Sequence, residues 1–267
     1  MIRVANAPVS YGAFELTVGV LANVPGPDRV LDAIAAAGYE GTELGPPGYL
    51  GRGHQLRDRL ASRSLALAGA FVELRFGDGD YSALEATLDL LDGFDAKAVL
   101  CDRGPRDGDV DLDGVRTAAE LARSRGFEPV FHHHMDTRVQ ATSEIERLLT
   151  RTDVGLLLDT GHLAAGGGDP TAALRAWRER VEHVHMKDVR LDVLGPAHEW
   201  NEAWRGGVFC ELGQGDVDLP GFLAELDGYA GWLVVEQDWV PAPGEDAAAQ
   251  IEAQARNRRW LVEHAGI

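Results

Sequence analysis

The chain has 267 residues, of which 45% are hydrophobic and 25% charged, and a formal net charge of −18. This is the composition of a folded globular protein, and the length suits one (β/α)8 barrel, which takes about 250 residues. So acidic a surface repels phosphate backbones and anionic lipid, which excludes nucleic-acid and membrane-surface binding.

No apolar run approaches the ~20 residues that span a bilayer, and the first residues, Met-Ile-Arg-Val-Ala-Asn-Ala-Pro, lack a signal-peptide core. The two cysteines, Cys101 and Cys210, fit neither a zinc nor a disulfide pattern, which points to reduced thiols in a cytoplasmic protein.

Short apolar segments alternate with segments of helical period along the whole chain. Residues 2–7, 39–44, 65–74, 96–101, 128–132, 154–159, 181–186 and 231–236 read as strands. Between them, 28–37, 81–91, 115–125, 143–150, 170–180 and 219–226 read as helices, and 245–263 forms a last one. Ala37-Gly38-Tyr39 and Arg125-Gly126-Phe127 carry C-cap glycines just before strands. Eight strand–helix repeats require parallel strands with right-handed crossovers. The expected fold is α/β, a single (β/α)8 TIM barrel over residues 1–267, with no linker or low-complexity tract to mark a second domain. A doubly wound open sheet is the alternative, but no Gly-x-Gly-x-x-Gly follows the first strand. One connection, residues 189–218, is oversized, and its Trp200, Trp204 and Phe209 suggest a lid that closes over the barrel mouth.

A barrel places its chemistry at the C-terminal ends of its strands. Those ends read Thr42-Glu43, Glu73-Leu74, His132-His133-His134, Asp159-Thr160-Gly161-His162, His183-Val184-His185-Met186-Lys187 and Glu236-Gln237-Asp238. Seven of the nine histidines lie between His132 and His198, while His54 and His264 sit in solvated contexts. Residues two apart on a strand share a face, so His132 and His134 point inward while His133 points away. The same period aligns His183, His185 and Lys187. Imidazoles and carboxylates converging on one rim form the ligand set of a divalent transition metal. His133 and His183 read equally well as hydrogen-bonded structural residues, and Glu43 and Glu73 as salt-bridged rim residues. Gly166-Gly167-Gly168 has no downstream Lys-Ser/Thr and makes no phosphate cradle.

On the stretches 131–137, 158–163, 183–190, 212–218 and 231–238, the chain resembles the xylose isomerase-like barrel superfamily of sugar isomerases, epimerases and endonuclease IV. Within it, the sequence is most similar to the inosose dehydratases of myo-inositol breakdown. The first half matches only at the superfamily level, through 6–10 and 41–45. The resemblance implies one metal held at the ends of the fifth to eighth strands, here by His132, Asp159, His185 and Glu236, with manganese or cobalt first and zinc, iron or magnesium as alternatives. His132 departs from the glutamate that isomerases and epimerases of this type carry there. It agrees with the triple-histidine stretch of the dehydratases.

The implied reaction is metal-dependent loss of water from a cyclic polyhydroxy ketone such as an inosose, by α-proton abstraction. His134, His162 and Lys187 are the expected acid–base and charge-stabilising groups, and Glu43, Glu73 and Arg190 the expected contacts to substrate hydroxyls. The alternative is a divalent-metal-dependent sugar or sugar-phosphate isomerase or epimerase working through an enediolate. The expected partner is a small polyol ketone or sugar, with a homo-oligomer open.

Overall fold

The computed structural model describes residues 1–195, 200–242 and 244–267; His198, with the rest of 196–199 in the long connection, lies outside the described residues. The barrel strands are β1 (Arg3–Asn6), β2 (Gly41–Thr42), β3 (Ala66–Leu67), β4 (Gly69–Leu74), β5 (Lys97–Asp102), β6 (Pro129–His132), β7 (Gly155–Asp159), β8 (Val181–Met186) and β11 (Trp232–Val235). They pair in the order β3-β2-β1-β11-β8-β7-β6-β5-β4, with every pairing parallel. The two edge strands are halves of one run, read from the sequence as a single strand and divided at Ala68. There the Ala68 N–H donates to the Thr42 carbonyl (2.9 Å) while its own carbonyl accepts from the Lys97 N–H (3.0 Å). One residue thus joins the β2 edge to the β5 edge, and the sheet closes into eight staves. The open doubly wound alternative is excluded by this closure.

The helices wrap the outside, and local chemistry sets their ends. Helix α1 (Pro27–Ala37) has proline in its first turn and stops at Gly38, whose φ of 88° is the left-handed conformation that glycine adopts without strain. Helix α7 (Pro170–Trp177) is capped by Asp169, whose carboxylate accepts from the Thr171 and Ala172 N–H groups. Helix α2 (Gly53–Ala61), with only Leu56 and Leu60 buried, was not legible as a helix because its apolar stripe is so thin.

The period of two decides what each stave shows the barrel interior. Phe131, Leu156, Leu158, Val184, Leu233 and Val235 face outward into the main core beneath the helices. Val99, Val130 and Leu157 face inward as a small aliphatic floor. Above that floor, the next inward positions are His132 on β6, Asp159 on β7 and His185 on β8, all buried, with Glu236 just past the end of β11. Asp159 and His185 are direct register partners. The barrel therefore brings three imidazole and carboxylate side chains, and a fourth one residue beyond a strand, to one level.

The 189–218 connection is built rather than loose. Strand β9 (Asp188–Val189) pairs antiparallel with β10 (Phe209–Cys210), with helices α8 (Leu191–Leu194) and α9 (Trp200–Arg205) between them. Asp188 pins the outgoing chain by accepting from the N–H groups of Gly213, Gly215 and Val217. Leu194, Ala203, Val208 and Phe209 pack with Met135 as a separate apolar cluster over the barrel end.

Gly161, in the short helix α6 (Thr160–Ala165), is where this lid meets the barrel. A Cβ there would lie 2.7 Å from Lys187 Cβ and 2.9 Å from Phe209 Cε1. Gly161→Ala should cost about 1–3 kcal/mol by overpacking, read as a lower urea midpoint; an unchanged midpoint would show that this approach tolerates a methyl group.

Candidate metal centre

The C-terminal end of the barrel opens into a cavity of about 730 Å³ lined by His132, His134, His185, Lys187, Glu236 and Asp238 at its base and by Trp200 and Trp204 from the lid. His133 does not line it; its Nε2 accepts from the Asp159 N–H at 3.1 Å. Burial brings the His133 pKa down to about 4, which keeps the ring neutral and able to accept that bond.

Hydrogen bonds assign the remaining tautomers, because a carbonyl or carboxylate oxygen can only accept. His132 Nδ1–H donates to the His133 carbonyl (2.6 Å), leaving Nε2 with its lone pair 3.7 Å from Asp159 Oδ2. His134 Nδ1–H donates to the Met135 carbonyl (2.9 Å), leaving Nε2 unprotonated. His185 places Nδ1 3.0 Å from Glu236 Oε2 and 3.6 Å from Asp159 Oδ2, while its Nε2 lies 3.0 Å from Glu43 Oε1. Asp159 Oδ1 caps α6 through the His162 N–H (2.8 Å), so Oδ2 is the oxygen turned to the cluster.

Lys187 Nζ lies 3.2 Å from Asp159 Oδ2, 2.9 Å from Glu236 Oε2, 3.0 Å from Asp238 and 3.2 Å from His162 Nε2. Burial opposes its charge, but the Asp159, Asp238 and Glu236 carboxylates outweigh it and hold the ammonium well above the usual lysine range. Burial likewise works against an ionised Asp159, yet Lys187 and His162 hold it well below the usual carboxylate range. His132 goes the other way: burial first, then His185, keeps it well below the ordinary imidazole value.

Three buried carboxylates, Asp159, Glu236 and Asp238, thus contact one buried ammonium, and a fourth, Glu43, is bonded to His183 and His185. Burial opposes a charge on His185, but Glu236 and Glu43 outweigh it and hold the ring well above the ordinary imidazole value. Even so, four carboxylates outnumber the two cationic groups, and buried charge of one sign needs a counter-charge. Neither Asp159 Oδ2 nor the buried His185 Nδ1 has a directed hydrogen bond; Oδ2 has only close approaches from Lys187, His185 and His132. One donor atom each from His132, Asp159 and His185 lies within 4.8 Å of the others. Two imidazole nitrogens and two carboxylates crowded around one point fit a divalent cation, which His132, Asp159, His185 and Glu236 would hold.

A family model for the xylose isomerase-like TIM barrel matches residues 31–261. The chain belongs to this family. An inosose dehydratase of Geobacillus thermodenitrificans (strain NG80-2) is 32% identical to it over 273 residues, covering 90% of each chain. Among solved structures, a probable 3-DHS dehydratase from Bacillus anthracis aligns with a TM-score of 0.70 at 14% identity, covering 97% of this chain and 98% of the other. A D-allulose 3-epimerase from Methylomonas sp. in complex with D-allulose aligns with a TM-score of 0.69 at 14% identity, over 98% and 97% of the two chains. At such identities the two structures share the barrel with this family member and no more.

The other residues singled out in the sequence fall in different places. His162 is buried behind the cavity lining, its ring centroid 3.9 Å from that of His134 and 5.5 Å from that of Trp200. Its Nε2 accepts from Lys187, since an ammonium only donates. Glu43 is deep in the barrel, bonded to His183 and His185. Glu73 stands on the exposed rim of the cavity, 3.8 Å from Arg103 Nε, and burial followed by the nearby Asp102 keeps its carboxyl above the usual value. Arg190 does not belong to the site. The chain leaves the barrel after Lys187 and turns into β9, so the strand alternation ends there; the Arg190 guanidinium is exposed and donates to the Gly207 carbonyl across the hairpin. Asp238, absent from the sequence-based site, is a full member of it. Its signal was present: it lies two residues beyond Glu236, on the same face of an extended chain. Among the described residues, no helix is long and apolar enough to cross a membrane.

His185→Ala and Glu236→Ala should each purify without stoichiometric divalent metal, measured by elemental analysis; full occupancy in both variants would overturn the ligand assignment. The lid supplies a second expectation, since Trp204 stacks 5.2 Å from Phe14 and Trp200 lies 5.7 Å from Phe209. Tryptophan emission should change when a polyol ligand fills the cavity, and a flat titration with proven binding would argue against closure.

Proposed function

We propose that this protein is a metal-dependent dehydratase that removes water from a cyclic polyhydroxy ketone of the inosose type, as the name of its Geobacillus relative suggests. The observation that carries this reading is the pair His132 and His134, the one ending β6 on the fifth stave and the other two residues further on. They offer one lone-pair nitrogen to the metal centre and one free base, His134 Nε2, whose partner nitrogen is committed to the Met135 carbonyl. Elimination needs one base and one acid. Epimerisation at a single carbon needs two opposed bases, and the carboxylates nearest the centre are engaged: Glu43 by two histidines, Asp238 by Lys187.

A divalent cation bound here supplies Lewis-acid polarisation of a ketone oxygen and stabilises the negative charge that develops on it. The residues of the chain do the rest. His134 Nε2 takes the proton from the carbon beside the ketone. The electron pair left behind forms the new carbon–carbon double bond as the neighbouring C–O bond breaks. The departing hydroxyl leaves as water with a proton donated by the Lys187 ammonium, and the proton gained by His134 returns to Lys187 through solvent before the next turnover, which closes the proton balance. Glu73 on the rim is placed to accept from substrate hydroxyls, and Trp200 and Trp204 exclude bulk water from the cavity.

A mixed set of imidazoles and carboxylates favours manganese or cobalt, with zinc, iron and magnesium as competitors. The same centre would also serve a sugar isomerase or epimerase, the second reading; the Methylomonas epimerase shares its fold. We take residues 1–267 as one catalytic unit, and a homo-oligomer is compatible with this reading. The two buried free thiols, Cys101 and Cys210, support a reducing, cytoplasmic setting.

Incubation with an inosose should yield the enone-type absorbance of a dehydrated product, while a panel of ketoses should show little epimerisation; robust ketose epimerisation would sink the proposal. His134→Gln should lower kcat by about 10²- to 10⁴-fold, the usual worth of one acid–base group, with metal content unchanged. His132→Glu restores a carboxylate at the metal and should shift turnover toward proton exchange without elimination, followed by deuterium uptake from solvent.

A further inference from the structure

Glu43 sits beside His185 Nε2, opposite the Nδ1 that faces Asp159 and Glu236, and also borders the cavity. Its carboxylate is buried, 4% exposed, and a single oxygen, Oε1, lies 3.0 Å from both His183 Nε2 and His185 Nε2. A carboxylate bonded in this way can only accept, so both Nε2 atoms carry hydrogen. In His185 the other ring nitrogen, Nδ1, faces Glu236 Oε2 at 3.0 Å and Asp159 Oδ2 at 3.6 Å, so it is the atom at which a divalent cation would take the place of a proton. His183 is fully buried, and its Nδ1 has no hydrogen-bond partner.

The surrounding backbone leaves room for this arrangement. A Cβ on Gly69, the first residue of β4, would lie 3.2 Å from Glu43 Oε1 and 3.1 Å from Val99 Cγ2. The neighbouring stave thus omits a side chain where the carboxylate sits.

We infer that Glu43 is a positioning residue rather than a substrate contact: it fixes the tautomer and ring orientation of His185 so that Nδ1 is presented to a divalent cation, and His183 braces Glu43 from the barrel floor. Without Glu43, the carboxylates left around His185 are Asp159 and Glu236, both on the Nδ1 side, and the ring has no reason to keep a proton on Nε2. Either nitrogen can then carry it, and the ring is free to turn. A carboxylate on the far nitrogen of a ligating histidine also makes the ligand a better donor. His183, two residues earlier on the same face of β8, fills the space below and holds the shared oxygen in place.

The inference rests on the metal-centre reading, and the test separates the two. The full chain is stripped of metal and titrated with cobalt(II) against a chelator of known affinity, reading both the dissociation constant and the visible absorption of bound cobalt. If the unmodified protein binds no cobalt, the metal centre itself is wrong. If it does, Glu43→Gln should bind cobalt about 10- to 100-fold more weakly, the usual effect of losing such an outer partner, with an altered spectrum and with KM unchanged once metal is saturating. His183→Asn should fold as the unmodified protein does and weaken cobalt binding by a smaller factor. The thermal transition of each metal-free variant reports whether it folds; if Glu43→Gln does not, His183→Asn carries the test. Cobalt affinity within twofold of the unmodified protein in every folded variant, or an unchanged spectrum with a raised KM in Glu43→Gln, overturns the assignment and returns Glu43 to the substrate.

Discussion

Negative charge gathered inside a barrel is the condition to which the rest of this molecule answers. Four carboxylates are buried there, three of them against the Lys187 ammonium. Carboxylates in such a place are retained only with a counter-charge, and Lys187 alone is too little. The arrangement makes sense as a cation site in which lysine already neutralises part of the charge. It also explains the histidines. Burial keeps His132 and His133 unprotonated, and a neutral ring is what a metal ligand or a hydrogen-bond acceptor must be.

The barrel supplies the geometry at little conformational cost. On β6, β7 and β8 the outward residues in the core, among them Phe131, Leu156, Leu158 and Val184, are apolar and anchor the stave to the helices, while the inward residue at the rim is free to be polar. Ligands borne on strands are held more rigidly than ligands borne on loops, because each is fixed by its neighbours' ladder bonds. The loops add what the strands cannot. Asp159 caps α6 with one oxygen while the other faces the cluster, and Asp188 pins the chain that carries Trp200 and Trp204 over the cavity.

Hydrogen bonds to carbonyls and carboxylates sort the histidines by role. His132 and His185 each surrender one N–H to an acceptor and turn the other ring nitrogen toward the carboxylates. His134 surrenders its own to Met135 and keeps a lone pair on Nε2, the one that the proposed mechanism uses. His162 and His134 look equivalent as bases in a linear sequence. The structure separates them, because the Lys187 ammonium occupies His162 Nε2.

Strand and helix periods, and the clustering of histidines where apolar runs stop, determined the eight-stave barrel and the inward faces of β6 and β8. They did so because alternation is a local property of the chain: His132 and His134 share a face whatever lies around them. Asp159 and Glu236 were legible for a similar reason, as acidic residues ending strands otherwise too apolar to tolerate them. Three things were decided only in three dimensions. Glu43 and Arg190 both read as hydroxyl-binding rim residues, yet one is drawn inward by two histidines about 140 positions away in sequence and the other is carried off by a hairpin. Ala68 joins two sheet edges through a pair of backbone bonds to partners on different staves. The division of labour among the histidines depends on which distant oxygen or ammonium each nitrogen meets. Partners far apart in sequence leave no local pattern, so only closure of the barrel assigns them.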